Sequence, residues 1–273
     1  MPDGVLDRVL HRDRLIVGAA LAALAALAWA YVIWVAADVG TGGGTGRMPG
    51  MRMIPAGIGW LVSDRVPWSA REIVLVFIMW SVMMIGMMAP SAAPMLLIYA
   101  RVGRQAAERR KPFAATGWFA AGYLSVWTAF ALAATLAQWA LQRAALLDSM
   151  MRLEERRLAA ALLIAAGLYQ WTTLKGACLA KCRSPLAFIT QQGSFRSTPS
   201  GAWQLGIRHG LYCLGCCWAV MLLLFVGGIM NVLWIAALAV LVLVEKIAPI
   251  GRIASMVAGV AFAGAGVWLL LTR

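Results

Sequence analysis

Long apolar runs alternate with short basic loops along most of this chain. A helix needs about 20 apolar residues to cross the roughly 30 Å hydrocarbon layer of a bilayer, and the runs approach or exceed that length. They lie near 15–37, 72–89, 113–138, 158–175, 207–228, 230–247 and 253–271. The pattern predicts an all-α fold, a polytopic transmembrane helix bundle with about seven spans. We expect residues 1–273 to form a single integral membrane domain.

The composition agrees with a protein whose solvent is the lipid bilayer. Hydrophobic residues make up 62% of the 273 residues and charged residues 13%, whereas a soluble domain carries about 25% charged residues. The net charge of +13 would suit nucleic acid. However, the basic residues lie in short loops between apolar runs, where membrane topology and anionic headgroups account for them. We therefore expect a lipid bilayer as partner and no nucleic acid.

Most of the 24 Lys and Arg residues fall on one side of the predicted membrane. The positive-inside rule then places the N-terminus inside and, with seven spans, the C-terminus outside. The first external loop, 38–71, is rich in glycine at 41–46 and is expected to be flexible. Its closely spaced methionines, Met48, Met51 and Met53, either bind Cu(I) weakly or simply belong to the loop.

A histidine and three cysteines open the apolar run at 207–228. On a helix, His209, Cys213, Cys216 and Cys217 share an arc of roughly 100°. Thiolate and imidazole ligands suit Zn²⁺, Cu(I) or an iron–sulfur cluster rather than Mg²⁺ or Ca²⁺. The same thiols could instead form a disulfide, or pack as small apolar side chains.

A second pair of thiols, Cys178 and Cys182, precedes this row with i, i+4 spacing. The loop at 183–206 begins and ends on the same membrane face, so both thiol groups should lie at similar depth. Pro185 should end the helix that carries the pair. Neighbouring basic residues favour thiolates, and a cytosolic face would keep the thiols reduced, which favours a metal over a stable disulfide.

Two weaker candidates lie in other spans. Met79, Met83 and Met87 form a thioether stripe before Pro90 and Pro94, which should kink or end their helix. This stripe is either core packing or an additional set of soft ligands, for which Met83 and Met87 are the candidates. Met87 and Met88 should approach the depth of the cysteines. Glu245 either pairs locally with Lys246 or takes part in metal or proton chemistry. Asn231 is expected to cap the helix that follows it.

These motifs together resemble one known family, the predicted metal-binding integral membrane proteins catalogued as domain of unknown function 2182. The resemblance covers roughly residues 70–250 and rests on MMIGMMAP at 83–90, CLAKCRSP at 178–185, HGLYCLGCCW at 209–218, GIMN at 228–231 and EK at 245–246. It implies a multi-pass protein of a bacterial inner membrane that binds a metal, without an established reaction.

The leading hypothesis is a membrane protein that binds a soft transition metal ion, Cu(I) or Zn(II), and delivers or transports it. Its ligands would come from Cys178, Cys182, His209, Cys213, Cys216 and Cys217, with Met83, Met87 and Glu245 as possible additions. A metal donor or acceptor protein, or a membrane complex, would be the partner. One alternative is a thiol–disulfide oxidoreductase that uses the pair Cys213 and Cys216, with Cys178 or Cys182 as its partner thiol. Another is a non-catalytic subunit of a membrane complex.

Overall fold

A computed structural model describes residues 3–40, 68–110, 114–148, 151–192 and 197–272. Within these ranges the chain is helical and contains no β-strand, which confirms the predicted all-α class. Most of the predicted flexible loop, including Met48, Met51 and Met53, lies outside the described residues. The helices are α1 (Asp3–Gly40), α2 (Ala70–Glu108), α3 (Thr116–Arg143), α4 (Arg156–Tyr169), α5 (Thr173–Arg183), α6 (Pro185–Gln191), α7 (Pro199–Leu222), α8 (Leu224–Gly227), α9 (Val232–Ile247) and α10 (Gly251–Leu271).

Five helical segments of the described chain are long and apolar enough to cross a membrane. They are Val17–Ala37, Ala70–Ala106, Thr116–Arg143, Pro199–Gly227 and Gly251–Leu271. Each overlaps a predicted span, so the prediction of a membrane-compatible helical protein holds. The count differs, because the predicted spans at 158–175 and 230–247 do not reach this length.

The two missing spans are short for physical reasons. The 14 residues of α4 and the 16 of α9 give lengths of about 21 and 24 Å, less than the roughly 30 Å of a hydrocarbon core. The apolar run at 158–175 is broken at residues 170–172. There Thr172 caps the start of α5 by accepting a hydrogen bond from the Lys175 amide at 3.2 Å. Asn231 caps α9 as expected, accepting from the Trp234 amide at 3.1 Å.

Prolines act differently in α2 and α5. The helix α2 continues through Pro90 and Pro94 to Glu108, so these prolines do not end it. In contrast, α5 ends at Arg183, and Pro185 begins α6 as predicted, because a helix tolerates proline in its first turn.

Helices α3 and α7 approach each other closely through three glycines. A Cβ atom at Gly122 would lie 2.0 Å from the carbonyl oxygen of Trp203 on α7, and one at Gly206 would lie 2.1 Å from that of Phe119 on α3. A Cβ at Gly210 would lie 2.8 Å from the side chain of Val126. Small residues at i, i+4 spacing permit such contact between apolar helices. This contact sets the position of α7, which carries four of the candidate ligands.

Candidate metal site

The sulfur of Cys213 lies where α2, α3, α7 and α9 meet, and the residue is 2% exposed. Lys246 of α9 donates a hydrogen bond to Sγ at 2.8 Å and another to the Ser91 hydroxyl at 3.1 Å. The Tyr123 hydroxyl of α3 lies 3.1 Å from the same sulfur and donates to the Met88 carbonyl oxygen at 3.1 Å. Cys213 is thus a buried thiol held between a cation and a phenol.

The other thiols of α7 lie directly beside Cys213. Both Cys216 and Cys217 donate to the Cys213 carbonyl oxygen, with Sγ···O distances of 3.0 and 2.9 Å. Cys182 reaches the cluster from α5, and its thiol lies beside those of Cys213 and Cys216. Cys216 and Cys217 are almost completely buried, whereas Cys182 is only partly buried. The structure therefore brings one thiol of the first predicted pair into contact with the predicted row on α7.

Cys178 and His209 lie at the edges of this cluster. Cys178 packs against Gly215, where an added Cβ would lie only 2.8 Å from its sulfur. Hence the absence of a side chain at 215 lets α5 approach α7. His209 is 3% exposed and is surrounded by the rings of Phe119, Tyr123 and Phe188. Its Nδ1 has no hydrogen-bond partner among the described residues.

Glu245 does not pair with its neighbour Lys246. Its carboxylate accepts from Lys175 of α5 at 2.8 and 2.9 Å, and both side chains are 1% exposed. Lys175 also donates to the Gln170 side-chain oxygen. The local pair, one of the two alternatives for Glu245, is therefore not formed. The carboxylate pairs with another helix instead, because adjacent residues on a helix point in different directions.

Met83 and Met87 are buried, as a packing role requires. They line a narrow crevice together with Ala28 and Val32 of α1 and Ile235 of α9. The part of α2 that reaches the Cys213 site is instead the turn with the Met88 carbonyl and the Ser91 hydroxyl.

Three residues of the site were absent from the sequence prediction: Ser91, Tyr123 and Lys246 as a partner of sulfur. The sequence could have pointed to Lys246, because a lysine and a glutamate at the end of an apolar helix are costly unless each finds a partner. The hydroxyl groups of Ser91 and Tyr123 carry no comparable signal, because such residues are ordinary in membrane helices.

Cys182 and Cys217 each lie beside both Cys213 and Cys216, yet the thiols do not converge on one point. In the part of the chain that the structure describes, no three His, Cys, Asp or Glu side chains are arranged so that they could hold one metal ion together. The described cysteines are free thiols. Cys182 is the thiol that α5 brings next to the α7 thiols of Cys213 and Cys216.

Fold and site together define a helical protein of membrane type with a buried cluster of soft donor atoms. A model of the PpoB2 copper chaperone family matches residues 77–269, and the chain belongs to this family. The match spans α2 to α10 and includes all five cysteines. The comparison with curated proteins gave no match, and the comparison with solved structures gave none either. The family assigns the protein a role in copper handling, which supports the copper part of the sequence prediction and gives no support to zinc.

Proposed function

We propose that this protein is a membrane-embedded chaperone that holds Cu(I) as cargo between thiolates of α5 and α7. The observation that carries the proposal is the contact of Cys182 with Cys213 and Cys216, with the Lys246 ammonium 2.8 Å from the Cys213 sulfur. Cu(I) is a soft ion that prefers thiolate ligands and accepts two of them in a near-linear arrangement. Two thiols in contact across a helix interface are a sufficient donor set.

Charge balance favours Cu(I) over Zn(II) in this surrounding. One Cu(I) ion with two thiolates carries a net charge of −1, and Lys246 supplies the compensating positive charge at the site. Zn(II) with the same two thiolates is neutral and would leave the buried ammonium unpaired. Uncompensated charge is costly in an apolar interior. Structural zinc sites also use four ligands, and no such group is arranged in the described part of the chain.

The exposure of the thiols suggests a direction of transfer. Cys182 is only partly buried, whereas Cys213 and Cys216 are covered by the neighbouring helices. A donor or acceptor protein would exchange the ion through Cys182. Cys217 and His209 are additional donors beside the pair, and Met83, Met87 and Glu245 take no direct part in this proposal. With the seven spans that the sequence predicts, the positive-inside rule would put this exchange on the cytosolic face of a bacterial inner membrane, whereas the five spanning segments alone would put the loop at 183–206 on the outer face.

The test is Cu(I) binding by the full-length protein, purified in detergent without oxygen and titrated against a chromogenic Cu(I) chelator. We expect about one Cu(I) per chain in the wild type and none retained by Cys213→Ser/Cys216→Ser. Cys178→Ser is the matched control, because this buried thiol packs against Gly215 and lies outside the proposed pair. The proposal fails if the double variant binds as much Cu(I) as the wild type. Equal loss in Cys178→Ser would contradict the choice of ligands.

The same contact between Cys182 and the α7 thiols supports a second candidate, a thiol–disulfide oxidoreductase. That function predicts a disulfide between Cys182 and Cys213 or Cys216 in cells whose thiols are trapped by rapid acid quenching. It also places the loop at 183–206 on the oxidising face of the membrane, which reporter fusions would reveal. A reduced cluster and a cytosolic loop would exclude this candidate. Copper binding would exclude the third, a subunit whose thiols only join helices.

A further inference from the structure

A second cavity, separate from the thiol cluster, opens between the α4–α5 turn, α5 and the first turns of α10. We infer that it binds the phosphate headgroup of an anionic phospholipid. The cavity has a volume of about 620 Å³. Its lining includes Gln170, Trp171, Lys175, Arg183, Arg252 and Met256.

The charge of the cavity is positive. The ammonium of Lys175 is balanced by Glu245 at 2.8 Å, so the guanidinium groups of Arg183 and Arg252 remain as the net charge of the lining. Arg183 is held at the wall because it donates to the carbonyl oxygens of Ala248 and Pro249 at 2.9 and 3.3 Å. Arg252 is exposed in the first turn of α10. The dipole at this helix start also favours an anion.

One wall of the cavity contains a polar donor that the protein does not satisfy. Gln170 is 5% exposed, and its side-chain oxygen accepts from Lys175. This contact fixes the amide orientation and leaves Nε2 as the donor facing other groups. Nε2 has no hydrogen-bond partner in the described part of the chain. Buried donors are nearly always satisfied in folded proteins. Nε2 is itself covered by protein atoms, so a phosphate oxygen would reach it after a small shift of the side chains in this wall.

The surface beside the cavity indicates that the anion belongs to a lipid. Arg252, Met256 and Val260 follow each other at i, i+4 spacing along α10, one of the helices able to cross a membrane. Met256 is 55% exposed and Val260 is 63% exposed. The exposed Trp171 lies at the mouth and donates from Nε1 to the Met256 carbonyl oxygen at 3.3 Å, in keeping with tryptophan at membrane interfaces.

This order of groups matches a phospholipid, whose charged phosphate would lie at Arg252 and whose acyl chain would follow Met256 and Val260. A free phosphate ion would use the charges but leave the apolar stripe without a role. Basic pockets between membrane helices bind anionic headgroups elsewhere by the same combination of charge and apolar surface.

The experiment is native mass spectrometry of the full-length protein in detergent, titrated with phosphatidylglycerol or with phosphatidylcholine. We expect adducts of phosphatidylglycerol at concentrations that give none with phosphatidylcholine. Arg252→Gln should weaken phosphatidylglycerol binding about fivefold, the change expected for one basic residue near an anionic lipid. Arg157→Gln is the matched control, because Arg157 is also an exposed arginine but lies at the opposite end of α4.

A second variant tests the cavity without changing its charge. Ala180→Phe should fill part of the cavity that Ala180 lines and reduce phosphatidylglycerol binding to a similar extent. Inorganic phosphate at the concentration of the lipid should not displace it. The inference is overturned if both variants bind like the wild type, if phosphatidylcholine binds equally well, or if inorganic phosphate displaces the lipid at equal concentration. None of these readouts depends on copper, so the result is separable from that of the copper titration.

Discussion

Two buried lysines, Lys175 on α5 and Lys246 on α9, have different partners. Lys175 is 1% exposed and faces the carboxylate of Glu245 and the amide of Gln170. Lys246 is 6% exposed and faces the Cys213 thiol and the Ser91 hydroxyl. A carboxylate balances a buried cation permanently, whereas a thiol does so only as a thiolate. The first region is a closed ion pair, and in the second the balance of charge depends on what the sulfur binds.

The largest effect is expected from breaking the closed pair. Glu245→Gln would leave the Lys175 ammonium buried without a countercharge, which costs about 3–5 kcal/mol of unfolding free energy. Thermal unfolding of the purified protein in detergent measures this loss. The variant Lys175→Met/Glu245→Gln removes both charges and should recover most of the stability. If Glu245→Gln unfolds like the wild type, the Lys175–Glu245 contact is not a buried ion pair in the protein.

This ion pair shows what the sequence could and could not predict. Apolar runs predicted the helical class and the segments of α1, α2, α3, α7 and α10, because burial in lipid requires uninterrupted apolar length. They missed the break between α4 and α5. There, Thr172 caps a new helix and Lys175 turns inward to Glu245, and the second effect depends on a partner 70 residues away.

The sequence predicted which residues of the candidate site lie at one depth, but not which side chains contact each other. The shared depth of the two thiol groups followed from the connecting loop, and the structure brings Cys182 to Cys213 and Cys216. A local pair of Glu245 with Lys246 was one of two alternatives, and the structure gives these two side chains different partners, because adjacent residues on a helix point in different directions. Which side of a helix faces which neighbour depends on packing, and periodicity alone does not determine it.

A smaller effect should follow from removing the second lysine. Lys246→Met would leave a copper bis-thiolate at Cys213 without its compensating charge, while the metal-free protein can keep Cys213 as a neutral thiol. We expect Cu(I) binding to weaken about tenfold, roughly 1.4 kcal/mol by the relation between affinity and free energy, with a smaller loss of stability than in Glu245→Gln. Lys246→Arg keeps the charge and should retain most of the affinity. Unchanged Cu(I) affinity in Lys246→Met would show that Lys246 does not balance the charge of a metal bound at Cys213.

The smallest effect is expected at Tyr123. Tyr123→Phe keeps the ring beside His209 and removes only the hydroxyl near Cys213 and Met88. Loss of such a hydrogen bond costs about 1 kcal/mol of stability, measurable by thermal unfolding in detergent. The number of Cu(I) ions bound per chain should remain that of the wild type. A complete loss of Cu(I) binding would instead make the phenol, rather than Lys246, the main partner of the sulfur.

The glycine contact between α3 and α7 has an evolutionary consequence. At Gly122 and Gly206 the obstacle to a larger residue is the backbone of the opposing helix, which no change of side chain can move. Compensating substitutions are therefore unavailable on this side of α7. The opposite side, where Leu211 is 54% exposed, meets no such restriction. We therefore expect related proteins to vary on that outer side, while the inner side, with its thiols, keeps its register against α3.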